Sequence, residues 1–178
     1  MLTNSEIMNI SKNAKVHFFS HDIRTGLKNT TFLKHFIKSI FKQERRGLSS
    51  INYIFCSDKA ILEINKKYLN HDFYTDVITF NLSPNNKPIT AEVYISLERV
   101  RDNAKKLGVS IKSELHRVIF HAVLHLCGYN DKKKKDIKIM RNKEDALLSR
   151  YFNPSAISRE TILSVPREMG HQIFTSFK

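Results

Sequence analysis

The residues from His121 to Asp131 read His-Ala-Val-Leu-His-Leu-Cys-Gly-Tyr-Asn-Asp. Two histidines four apart on a helix leave the same face one turn from each other, so both imidazoles can reach one ion. Gly128 follows as a helix stop and lets the chain reverse, which returns Asp131 toward the same point in a pattern HxxxHxxxxxD. Two neutral imidazoles and one carboxylate are a donor set for an open catalytic zinc site with a position left for water. A closed structural site takes four protein ligands, usually with Cys, and Cys127 falls on another side of the helix from His125. The alternative is a pair of unrelated histidines. It is opposed by the nearly continuous apolar run from Val118 to Leu126, in which two unpartnered imidazoles would be costly.

The residue beside the first histidine narrows the chemistry. Zinc peptidases of the HExxH type place a Glu there as general base, and here it is Ala122, which accepts no proton. A metal can still acidify a water and polarise a phosphoryl oxygen. The chain carries 30 Lys and Arg against 17 Asp and Glu, a formal charge of +13. Such an excess favours polyanionic partners, because each phosphate contact releases condensed counterions. Phosphodiester hydrolysis is thus preferred to peptide hydrolysis.

Around the candidate centre, Lys132, Lys133, Lys134 and Lys135 follow Asp131 directly. They read as a positive rim for a phosphate backbone or as a solvated helix start. Cations are disfavoured at the positive end of a helix dipole, which tips the reading toward function. Lys66 and Lys67 are more ambiguous, since helical surfaces often carry such pairs for solubility alone. Tyr129 either stacks an unpaired base or packs over the turn. Thr75 and Asp76 either orient substrate or a ligating histidine, or only cap a strand. His116 lies on a different face from His121 and is read as structural or surface.

The elements that must position these groups follow from periodicity. Short strands are expected at 14–19, 51–56, 76–82 and 89–96, with Ser83-Pro84-Asn85-Asn86 turning the last two into a hairpin. Helices are expected at 31–46, with Gly47 at its C-cap, and after Ser57 or Asp58 as N-cap. Three more are expected at about 97–107, 111–127 and 133–150. The fold class is α+β: a small mixed four-stranded sheet covered by about five helices, with the metal site on a helix of the C-terminal half. Residues 1–152 form one domain. Residues 153–178, with Pro154, Pro166 and Gly170 and no sustained period, read as a loosely held extension. Cys56 and Cys127 make no disulfide framework, the start lacks a secretion signal, and no apolar run nears the roughly 20 residues that span a bilayer. A cytoplasmic protein with no membrane partner is expected.

The motif resembles that of the YbeY-type endoribonucleases of bacterial ribosomal RNA maturation, HGxLHLxGYDH. Tyr74-Thr75-Asp76-Val77-Ile78-Thr79-Phe80 is similar to that family's PTDVLSF segment, and Ala91-Glu92-Val93-Tyr94-Ile95-Ser96 stands where it has a GDIxIS strand. The resemblance covers about residues 14 to 150. It implies one zinc ion on His121, His125 and Asp131, which would be both ligands and catalytic residues. It also implies a single-strand-specific endoribonuclease acting in 16S rRNA 3′-end maturation and ribosome quality control. Its partners would be ribosomal RNA and the small ribosomal subunit, with no DNA. Asp131 stands where the usual member has His, adding a negative charge that makes the ion a weaker Lewis acid. Ala122 replaces the family's Gly. Leu69 stands where the family has an Arg thought to contact phosphate, leaving that charge to Lys66, Lys67 or His71. Leu69 keeps open a non-catalytic ribosome-assembly factor with a structural metal; a zinc peptidase is the remote alternative.

Overall fold

The computed structural model describes residues 13–85, 87–153 and 173–175. In chain order the elements are β1 (Lys15–Ser20), α1 (Thr30–Gln43), β2 (Leu48–Cys56), α2 (Asp58–Leu69), β3 (Val77–Asn81), β4 (Ile89–Ser96), α3 (Leu97–Leu107), α4 (Ile111–Leu126), α5 (Lys134–Phe152) and β5 (Ile173–Thr175). The expected strands and helices are all present, with ends shifted by a few residues. The sheet order is β1-β2-β4-β3-β5. β1 and β4 both run parallel to β2, and β3 is antiparallel to β4, as the turn at Ser83 to Asn85 requires. The sheet is therefore mixed and the architecture α+β.

One addition was not expected. The three residues of β5, inside the segment read as a loose extension, pair antiparallel with β3 from Ile78↔Thr175 to Phe80↔Ile173. The rest of 154–178 lies outside the described residues. One local expectation is corrected. α1 ends at Gln43, not at Gly47, and Arg45 takes the left-handed conformation at φ 53°. Gly47 instead passes its carbonyl to the amide of Ile89 at 2.7 Å, with Pro88 3.5 Å from where a Cβ would stand.

Alternation along the strands divides the core in two. Ile51, Tyr53 and Phe55 of β2 share a face with their register partners Ala91, Val93 and Ile95 of β4, and with Val77 of β3. This face joins Leu33, Ile37 and Phe41 of α1, Ile119, Phe120 and Val123 of α4, and Leu147, Leu148 and Tyr151 of α5 in one cluster. On the opposite face Cys56 and Ile78 meet Ile61 of α2 in a smaller one. Fully burying a Leu, Ile or Phe stabilises by about 1.5–3 kcal/mol, so the larger cluster dominates.

α4 is the centre of that cluster. All but a few of its residues are buried, and the Tyr53 hydroxyl of β2 reaches the Ile119 carbonyl at 3.5 Å. Its start is set by Ser110, whose side chain accepts from the Ser113 amide at 3.0 Å. Just before it, Gly108 at φ 65° closes α3. The helix that carries both histidines is thus held largely by apolar packing.

Candidate metal centre

The end of α4 shows how the chain brings the three candidate ligands together. The amides of Gly128 and Tyr129 bond back to the carbonyls of His125 (2.8 Å) and Leu124 (3.0 Å). Gly128 sits at φ 99°, a value that favours glycine, so the reversal depends on it. It returns Asp131 to the histidine face. The Nε2 atoms of His121 and His125 face each other at 2.9 Å, and Asp131 Oδ2 lies 3.6 Å from each. Among the described residues this is the group of His, Cys, Asp and Glu with the spacing of a metal site.

The outer ring nitrogens decide what the inner ones can be. His121 Nδ1 lies 2.6 Å from Glu144 Oε1, and His125 Nδ1 lies 2.8 Å from the Tyr129 carbonyl oxygen. A carboxylate and a carbonyl only accept, so each Nδ1 is assigned the proton and each Nε2 the lone pair. Two lone pairs and a carboxylate oxygen then converge with no donor between them, which a cation satisfies. A tetrahedral zinc with bonds of about 2.0–2.1 Å has ligand–ligand edges of roughly 3.3–3.4 Å, and the three separations bracket that value. Burial holds His125 below its ordinary pKa against the pull of Asp131, favouring the neutral ring that a ligand must be. The donor set fits a zinc ion.

Behind the ligands lie groups the sequence reading passed over. Glu144 is 2% exposed, and its Oε2 accepts from Arg117 at 3.1 Å. Arg117 also bonds Asp145 at 2.9 Å and approaches Glu114 at 3.6 Å. Glu44, at the end of α1, accepts from the Tyr129 hydroxyl at 2.8 Å and from Lys143 at 3.1 Å. A signal was present: Glu144 falls on the apolar stripe of α5 between Met140 and Leu147, and Glu44 continues the stripe of Ile37, Ile40 and Phe41. A charge at a core position needs a buried partner.

The remaining candidates separate by location. Tyr129 is buried, bonded to Glu44 and covered by Lys143 5.0 Å from its ring, so of its two readings packing is the one realised. His116 is structural: its Nδ1 meets the Lys112 carbonyl at 2.6 Å, and its ring packs among Phe120, Tyr151 and Phe152. Ala122 is fully buried and supplies no base. Lys132, Lys133, Lys134 and Lys135 are exposed beside Asp131, and α5 starts among them with no side-chain cap. Lys66 pairs with Asp72 at 2.7 Å, Lys67 lies over the Tyr68 ring, and His71 stacks on Phe73. Leu69 packs against the small cluster under α2. Thr75 and Asp76 are buried at the entry to β3, where Thr75 donates to the Val77 carbonyl and Asp76 accepts from Asn103 at 3.1 Å.

The family described as Endoribonuclease YbeY matches residues 15–152. The Endoribonuclease YbeY of Cytophaga hutchinsonii is 42% identical over 138 residues, 78% of this chain and 96% of that protein. The protein of the same name from Flavobacterium psychrophilum is 45% identical over 130 residues, 73% of this chain and 92% of its own. A Thermotoga maritima protein solved in solution superposes with a TM-score of 0.56 at 26% identity, over 78% of this chain and 90% of that one. The match spans every element from β1 to α5, including all three candidate ligands, and on that extent the chain belongs to the YbeY endoribonuclease family.

Proposed function

We propose that this chain is a zinc-dependent, single-strand-specific endoribonuclease that matures the 3′ end of 16S rRNA and serves ribosome quality control, acting on the small ribosomal subunit in the cytoplasm. The observation that carries it is the convergence of His121 Nε2, His125 Nε2 and Asp131 Oδ2 with no proton donor among them. A zinc ion held there supplies Lewis acidity toward a phosphoryl oxygen and toward water. His121 and His125 hold it from a buried helix, while Asp131, at 22% side-chain exposure, forms the side open to substrate. Lys132 to Lys135 border that side and steady the phosphate backbone. The position where an HExxH peptidase holds its general base is Ala122, buried in the core.

Leu69 supports a second reading, a ribosome-assembly factor that binds RNA without cutting it. Its side chain belongs to the apolar packing under α2 and brings no charge toward a phosphate. One experiment separates the two: zinc content and cleavage of labelled single-stranded and duplex RNA, for the wild type and His121→Ala. Loss of both metal and single-strand cleavage in the variant is expected. A metal-free His121→Ala preparation that cuts as fast as wild type would overturn the assignment. Wild type that holds zinc, binds RNA and cuts nothing would favour the assembly factor. The ribosomal part is read from unprocessed 16S 3′ ends in cells depleted of the protein.

A further inference from the structure

The two imidazoles are held in different ways, and both routes return to adjacent residues of α5. His121 is gripped directly, with Glu144 Oε1 2.6 Å from its Nδ1. His125 is gripped through three links: its Nδ1 meets the Tyr129 carbonyl, the Tyr129 hydroxyl donates to Glu44, and Glu44 accepts from Lys143. Lys143 also lies 5.0 Å from the centroid of the Tyr129 ring. A helix placed otherwise would lose both grips at once, since successive side chains diverge by about 100° and only this docking aims one at each route.

We propose that Lys143 and Glu144 are the positioning residues of the metal centre, one for each imidazole. The inference rests on the reading that His121, His125 and Asp131 hold a metal. Glu144 fixes the His121 ring in the tautomer that turns Nε2 inward and makes that nitrogen a better donor. Arg117 compensates the Glu144 charge from the far side, so that the carboxylate stays buried and oriented. Lys143 keeps Glu44 against the Tyr129 hydroxyl, which fixes the turn whose carbonyl orients His125. The stronger grip is the direct one. His125, held through a backbone carbonyl, depends less on any single side chain.

The test is zinc affinity by competition with a chromophoric chelator, and the absorption spectrum of the cobalt(II) form. Both read the metal centre without RNA or turnover. Glu144→Ala should weaken zinc by about 10- to 100-fold and alter the cobalt spectrum. Glu144→Gln, which keeps an acceptor oxygen but not the charge, should lose less. Lys143→Met and Tyr129→Phe should each cost a few-fold. Should Glu144→Ala fail to fold, Glu144→Gln and nitrogen NMR of the wild-type His121 ring decide, with a protonated Nδ1 expected. A purely structural role would lower Tm and leave affinity and spectrum unchanged; that outcome, or an unprotonated Nδ1, overturns the proposal. A wild type that binds neither metal would instead overturn the reading of the centre itself.

Discussion

α5 meets the candidate metal centre in two places of opposite character. Along its buried flank, Met140, Glu144, Leu147, Leu148 and Tyr151 face the core, and the one charge among them is tied to His121 and Arg117. At its start, Lys133, Lys134 and Lys135 stand exposed and uncapped beside Asp131, where the helix dipole repels them. The first arrangement stabilises the protein and is invisible to a ligand. The second works against the helix and is visible only to one. A protein gains nothing structural from cations at a helix N-terminus, so their presence there argues for an anionic partner.

The comparison breaks most sharply at Arg117. Its guanidinium is 16% exposed and faces Glu144 and Glu114, whose side chains are 3% and 0% exposed. Arg117→Met leaves those carboxylates without their counter-ion, and removing one partner of a buried pair costs about 3–5 kcal/mol. Urea unfolding at pH 7 should show that loss as a lower midpoint at unchanged slope. A loss under about 1 kcal/mol would mean that the buried flank does not hold the fold as described.

The rim should respond in the opposite sense. Replacing Lys132, Lys133, Lys134 and Lys135 together by Ala should leave the unfolding midpoint unchanged or slightly raised, because unfavourable cations leave a helix start. RNA affinity should fall, and its dependence on the logarithm of salt concentration should flatten by up to about 0.7 for each Lys that contacts a single strand. A full salt slope in that variant would sink the rim as an RNA surface.

The same contrast explains how far residue patterns reached. The sheet and helices were legible because apolar periodicity is written by the core itself: Phe36, Ile37, Ile40 and Phe41 must share a face of α1 wherever it docks. The convergence of the three candidate ligands was legible because they lie within eleven consecutive residues, His121 to Asp131, where helix geometry and Gly128 fix their relation. Glu144 and Glu44 were not, since they reach the centre across 23 and 85 residues through tertiary packing. β5 was missed for a like reason: three residues carry no period, and only the free edge of β3 makes them a strand. Arg45 at φ 53° shows the limit of local rules, since α1 stops four residues before the glycine expected to end it.

The smallest effect sets His116 apart from the two histidines of the candidate centre. His116 is 2% exposed, donates Nδ1 to the Lys112 carbonyl, and has its Nε2 buried with no partner among the described residues. Phe120, Tyr151 and Phe152 surround the ring, and Lys112 adds its own charge. Burial therefore lowers its pKa below the ordinary value of 6.5. The unfolded chain binds that proton more readily than the folded one, so full stability is present above pH 6.5 and is lost as pH falls through the folded-state pKa. With zinc saturating in both, wild type should lose more stability between pH 7.5 and pH 5 than His116→Leu. Equal losses would show that the ring escapes its aromatic cage when charged, and that α4 is less tightly clamped there than around His121.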